Sequence, residues 1–170
     1  MANQYIEAPA EEIILNNQSL YLAGGITGCE DWRKYVVKQL NASLDDLTII
    51  NPKRDQYSTY KEVSGYSEAE KQIAWEYDYQ RMSRQILFWF NSETLQPISL
   101  FELGNALCKS KIGIKQQIFL GVDPNYARAF DLQVLSRLHR YEGIIAESLD
   151  QLVQSVIIYN RNLQVFKGEE

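Results

Sequence analysis

A three-layer α/β sandwich, with helices on both faces of a five-stranded parallel sheet, is predicted by three features of this 170-residue sequence. Short apolar runs alternate with helical periods along the chain. One run, Ile86-Leu87-Phe88-Trp89-Phe90, is aromatic and uncharged, as a strand buried on both faces must be. Turn residues (Gly24-Gly25, Asn51-Pro52, Pro97) punctuate the passage from run to helix.

The elements follow in order. Residues 1–18 read as an arm whose Ile13-Ile14-Leu15 run is a candidate edge strand. Ser19 to Ala23 is the first central strand, broken by Gly24-Gly25-Ile26-Thr27-Gly28. Asp31 to Leu44 is a helix, because Trp32, Val36, Leu40 and Leu44 share a face. Leu47 to Ile50 is the second strand and runs into Asn51-Pro52-Lys53-Arg54. Asp55 to Ala69 lacks an apolar period and reads as a long loop, of the kind that carries function or is disordered. Glu70 to Arg84 is a helix with Ile73, Tyr77 and either Arg81 or Met82 on its inner face. After the third strand, Leu100, Leu103 and Leu107 mark a helix from Ser99 to Ser110, with Ser99 placed to cap it. Gln117 to Val122 is the fourth strand. Tyr126 to Arg137 is a helix carrying Phe130, Leu132, Val134 and Leu135. Gly143-Ile144-Ile145 is a short fifth strand, Ser148 to Tyr159 the last helix, and 161–170 a polar tail. Residues 19–160 thus form one flavodoxin-like or Rossmann-like domain.

Composition narrows the function. A net charge of -5 argues against nucleic-acid or anionic-membrane binding. No apolar run is long enough to span a bilayer, and no signal-peptide pattern opens the chain. Cys29 and Cys108 have no metal spacing and read as free thiols in a reducing cytoplasm. The single histidine, His139, excludes a His-rich metal centre, argues against a Ser-His-Asp triad, and is expected to face solvent. Tyrosines clustered from Tyr57 to Tyr79 suggest a pocket wall or a subunit contact.

Three stretches carry candidate chemistry. Glu102 is expected in the first turn of its helix, just past the carboxyl end of a central strand, the rim where open α/β sheets bind ligands. There the macrodipole would keep it ionised and fit to act as a nucleophile, or it would simply serve the dipole. The Gly24–Gly28 loop is not G-x-G-x-x-G, and the second strand lacks the acidic residue of a dinucleotide site. Its amides either approach a phosphate or sugar, with Thr27 and Arg33 as polar contacts, or only make a tight turn. Glu76 and Asp78 lie two apart on a helix, so only one of them can face a pocket beside Glu102. Two facing carboxyls suit retaining glycosyl transfer. Tyr21 points opposite to Leu20 and Leu22 and could bond a carboxylate.

Together these pieces resemble the nucleoside 2-deoxyribosyltransferase-like family. They are Tyr-Leu-Ala-Gly-Gly-Ile at 21–26, Asn-Pro-Lys-Arg at 51–54, Gln-Ile-Ala-Trp-Glu at 72–76, Ile-Leu-Phe-Trp-Phe at 86–90 and Pro-Ile-Ser-Leu-Phe-Glu-Leu-Gly at 97–104. A later piece at 121–131 is similar to bacterial members, so the likeness runs from about Leu20 to Val153. The resemblance implies a flavodoxin-like fold and cleavage of the N-glycosidic bond of a nucleoside or nucleoside 5′-monophosphate, without metal or cofactor. It makes Glu102 the nucleophile that forms a glycosyl ester, resolved by water or a second base. It makes Glu76 the group that binds or protonates the base, with Asp78 as the alternative, and Tyr21 the group that orients the nucleophile. Substrate contacts fall to Gly24, Gly25, Ile26, Thr27, Arg33, Asp78 and Ser99. Some members carry Ser or Asp where Gln96 stands, and Ser99 is the candidate substitute. The glycine loop with Thr27 and Arg33 tilts the expectation toward a nucleotide. The resemblance also implies a cytoplasmic homodimer or higher oligomer that completes its pocket with a neighbour's residues. A non-catalytic nucleotide sensor is the competing reading.

Overall fold

The computed structural model describes residues 3–8, 10, 15, 18–53, 66–111 and 116–167. Six strands form one sheet: β1 (Gln4–Glu7), β2 (Ser19–Gly24), β3 (Thr48–Asn51), β4 (Gln85–Phe90), β5 (Gln117–Val122) and β6 (Ile145–Ala146). All pairings are parallel, in the order β1-β3-β2-β4-β5-β6. Five helices connect them: α1 (Trp32–Ser43), α2 (Tyr66–Met82), α3 (Pro97–Lys111), α4 (Ala129–Leu138) and α5 (Leu149–Lys167). The chain steps outward from β2 to β3, then crosses back over β2 to lay down β4. The strand order therefore reverses between β2 and β4, which opens a crevice at their carboxyl ends.

The sixth strand corrects the expected five. It is β1, from the amino-terminal arm, in register with β3 from Gln4 opposite Thr48 to Glu7 opposite Asn51. Only Ile6 of its four residues is buried, so the segment carries no alternation for a sequence reading to find. Ile13 and Ile14 of the expected Ile13–Leu15 edge strand and residues 55–65 of the expected loop lie outside the described residues, whereas Leu15 is in no strand and residues 66–69 belong to α2, which starts four residues before the expected Glu70.

Alternation along the strands divides the core in two. Leu20 and Leu22 of β2, with Leu87 and Trp89 of β4, pack under Val36 and Leu40 of α1 and Leu152, Val153 and Val156 of α5. Tyr21 and Ala23, with Ile86, Phe88 and Phe90, face Leu103, Ala106 and Leu107 of α3 and Leu132 of α4. All six residues of β4 are buried, as its apolar run requires. The same alternation turns Tyr21 toward the face on which α2 and α3 lie.

Two helices depart from their expected faces, and a third runs past its expected end. In α2, Ile73, Tyr77 and Met82 are exposed, while Gln72, Trp75 and Gln80 turn inward. The stripe facing the sheet is polar and aromatic, and its Glu76 reaches a cavity, so hydrophobic periodicity selects the wrong side. In α4, Phe130 and Leu135 are exposed and Leu132 and Ser136 are buried. α5 runs on through the expected tail to Lys167, held where Arg161 Nη2 donates to Ser43 O (3.2 Å) and Gln164 Nε2 to Asp45 O (3.3 Å). His139 is not solvent-facing: it is half-buried at the C-cap of α4, with Nδ1 buried and unpaired among the described residues.

Candidate active site

A cavity of about 300 Å³ occupies the crevice beyond β2 and β4. Its walls come from the carboxyl end of β2, the β2–α1 loop, Pro52 after β3, the β4–α3 loop, the start of α3 and Glu76 of α2. Tyr21, Glu76 and Glu102 all line it, from three different elements. So do Gly24, Gly25, Ile26, Thr27, Arg33 and Ser99. Asp78 does not; it lies on the exposed side of α2, as two residues of the same helix so spaced cannot share a face.

The glycine loop is locked from inside. Gly24 stands at φ 145°, and a β-carbon there would meet Trp89 O and the Trp32 ring. Arg33 reaches under the loop from α1 and is 1 % exposed. Its Nη1 donates to Gly25 O (2.8 Å), Nη2 to Gly24 O (2.9 Å), and Nε and Nη2 to Leu22 O (3.4 Å each). Trp32 Nε1 adds a bond to Gly25 O (3.2 Å). Arg33 thus lines the cavity as a strut whose donors are committed to the ends of β2, and burial draws it down to about 10.

Gln96, just before α3, completes the lock. Its backbone sits at φ 50°, a region non-glycine residues rarely occupy. Its Oε1 accepts from Gly25 N (2.7 Å), and its Nε2 donates to Asn91 O (3.1 Å) and to Asn91 Oδ1. Cys29 ties the same two loops, its Sγ 3.2 Å from Thr94 Oγ1. Both cysteines are free. Sequence reasoning noted Gln96 only as a departure in the motif; no period or composition marks a buried, hub-forming glutamine.

Glu102 sits differently from expectation. α3 begins at Pro97, so Ser99 lies inside its first turn rather than before it, and Glu102 falls past that turn. The dipole there is spent. Burial, with the negative charge of Glu76 facing it, pushes the Glu102 carboxyl up to about 7, against weaker opposing pulls from Gln80 and Arg33. Glu76 is half-buried and accepts from Gln72 Nε2 (2.5 Å), which also donates to Pro52 O (3.1 Å). Tyr21 is 1 % exposed; burial, then the charges of Glu102 and Glu76, keep its hydroxyl protonated well above the usual range. A protonated donor and two facing carboxyls around one cavity form an acid–base set able to grip a bond from both ends.

Comparison with curated proteins returns no match. Against known families, residues 17–120, well over half of the chain, match the one described as "Nucleoside 2-deoxyribosyltransferase like". The matched span takes in every residue lining the cavity, and the chain belongs to the nucleoside 2-deoxyribosyltransferase-like family.

Proposed function

We propose that the chain cleaves the N-glycosidic bond of a nucleoside through a covalent glycosyl ester on Glu102. The observation that carries this reading is the convergence of Tyr21, Glu76 and Glu102 on one cavity at the reversal of strand order. In the first half-reaction a Glu102 carboxylate oxygen bonds to C1′ as the C1′–N bond breaks. The bonding pair leaves on the base nitrogen, which takes the one proton the two facing carboxyls share, held on Glu76 in the microstate in which Glu102 is ionised. In the second, the oxygen of water or the nitrogen of a second base bonds to C1′ as the ester C–O bond breaks. The incoming group's proton passes to Glu76, and Glu102 returns as a carboxylate. Tyr21 donates its hydroxyl hydrogen to Glu102 and orients it. Ser99, Thr27 and the Gly24–Gly25–Ile26 wall meet the sugar and base.

The commitments of the glycine loop favour the nucleoside over its 5′-monophosphate. The Gly25 amide is taken by Gln96 Oε1, and Arg33 is the only basic residue lining the cavity among the described residues, with its donors turned to carbonyls. A phosphate would enter a cavity that already holds two carboxyls and find little to hold it.

Incubating the chain with the common nucleosides and their 5′-monophosphates, with and without a second base, and separating the products tests both points. Free base is expected, at kcat/KM about tenfold or more higher for a nucleoside than for its monophosphate. Base alone marks a hydrolase; a new nucleoside marks a transferase. Thermal stabilisation by nucleosides with no base released from any would replace the enzyme reading with the sensor.

The same reading includes an oligomer. Ile98 and Phe101 of α3 are 68 % and 77 % exposed beside the cavity, and Ile73 and Tyr77 of α2 are exposed on the neighbouring helix. Apolar and aromatic residues on adjacent helices suit a subunit contact. Light scattering during gel filtration is expected to give at least twice the chain mass of 19.7 kDa, and Phe101→Glu is expected to reduce it. A monomer at micromolar concentration would contradict the assignment.

A further inference from the structure

The inner stripe of α2 holds one more polar group than the reaction scheme uses. Gln72, Glu76 and Gln80 stand four apart and therefore in line on one face. Gln72 is bonded to Glu76 and to Pro52 O. Gln80, one turn beyond Glu76, is 7 % exposed, and its Nε2 is buried without a hydrogen-bond partner among the described residues. A buried donor left unpaired is costly, so its retention calls for a reason. The backbone that carries Gln80 is held: Gln116 Nε2 donates to the main-chain carbonyls Gln80 O (2.8 Å) and Ser83 O (2.6 Å), which pins the last turn of α2. The acceptor nearest in function is Glu102, whose carboxyl feels the Gln80 amide as a donor that favours its charged form.

We propose that Gln80 is a positioning residue for Glu102: its Nε2–H, idle while the carboxyl is protonated, closes onto the carboxylate when Glu102 ionises. The other groups facing that carboxyl come from three elements. Glu76 on α2 opposes its charge, Arg33 on α1 favours it, and Tyr21 on β2 is a neutral neighbour coupled to both carboxyls. Arg33 is committed to carbonyls and Tyr21 is already assigned one bond to Glu102, so Gln80 is the further buried donor left without a partner among the described residues. The amide aims one lone pair of Glu102 and leaves the other oxygen free to face C1′. The proposal rests on Glu102 being the nucleophile, and its test is chosen to stand apart from that reading.

The experiment pairs Gln80→Met and Gln80→Glu, both close to glutamine in volume, with the parent chain. The first reading is the midpoint of Glu102 ionisation, followed by the carboxyl carbon-13 shift in glutamate-labelled protein and assigned by its loss in Glu102→Gln. It needs no turnover. The midpoint is expected to rise by about half to one pH unit in Gln80→Met and further in Gln80→Glu, which adds a like charge. The second reading is kcat/KM against pH. At pH 6 it is expected to fall about 3–10-fold in Gln80→Met and to return within about twofold of the parent at pH 9, where Glu102 is ionised in either chain. Midpoints that coincide in parent and both variants overturn the positioning role, whatever the activity. A raised midpoint in a chain that releases no base upholds the Gln80–Glu102 contact and removes the nucleophile assignment instead. A uniform loss of rate at all pH values, with no shift of midpoint, would reduce Gln80 to packing.

Discussion

Glu102→Gln is expected to lose turnover by at least about 10³-fold and, at pH 8, to melt higher than the parent. The first effect follows if the attacking oxygen is removed. The second follows from the site itself. The Glu102 carboxyl goes from an ordinary 4.5 in the unfolded chain to about 7 in the folded one, pushed first by burial and then by Glu76. Between those values the folded chain binds the proton more tightly than the unfolded chain, so stability falls as pH rises through the window and stays low above it. Glutamine carries no charge at any pH. Its advantage is absent below about pH 4.5, grows to about pH 7 and then levels off, at about 1–3 kcal/mol once solvent screening at the cavity mouth is allowed for. For a domain of this size that is about 3–10 °C in Tm. A Tm difference independent of pH would mean that Glu102 is not held neutral by its surroundings. Base release at the parental rate would remove it from the reaction.

The parent chain's own pH–rate profile carries the same sign. If Glu102 is the nucleophile, its ionisation at about 7 is expected to leave an acid limb in kcat/KM centred there, tenfold per unit below it. Under the proposed reaction, a carboxyl held so high in the cavity wall is a stability cost taken for function. The packing around it shows where that cost is offset: β4 buries all six of its residues, and two separate cores grip the sheet from either side.

What the sequence made legible follows from which forces leave a pattern. β4 was readable because burial on both faces demands an unbroken apolar run. Placing Tyr21, Glu76 and Glu102 at one rim was readable from alternation in β2 and from the position of the motifs after strands. The inner stripe of α2 was not, because this helix turns the polar Gln72, Glu76 and Gln80 inward and leaves Ile73 and Tyr77 outside. β1 was missed because an edge strand with one buried residue in four has no period. The extension of α5 was missed because Arg161 and Gln164 read as tail residues until the carbonyls they reach are known. The expected ionisation of Glu102 shifted upward because a helix that starts two residues earlier than expected, at Pro97, leaves it past the first turn and against a desolvated wall.

Arg33→Leu is expected to be the most destabilising single change at the site, by about 3–5 kcal/mol, or on the order of 10 °C in Tm. The sequence suggested an anion ligand; the geometry makes this residue a strut. Leucine would fill part of the volume but leave Leu22 O and Gly24 O without their donors and Gly25 O with Trp32 Nε1 alone. Buried carbonyls at a strand end have no water to turn to. Arg33→Lys keeps the charge but replaces a planar fork by a single ammonium, which cannot span three carbonyls, so about half of the loss is expected to remain. Both changes also remove or displace a cation that favours the ionised form of Glu102, so the acid limb of the rate profile is expected to move upward with the loss of stability. If Arg33 served a substrate phosphate instead, Arg33→Lys would leave Tm near the parent's and raise KM for monophosphates while sparing nucleosides. Denaturant melts and a nucleoside–monophosphate comparison on the same two variants separate these outcomes. The strut reading requires that the damage be the same for both substrate forms, because what Arg33 holds is the loop and not the ligand.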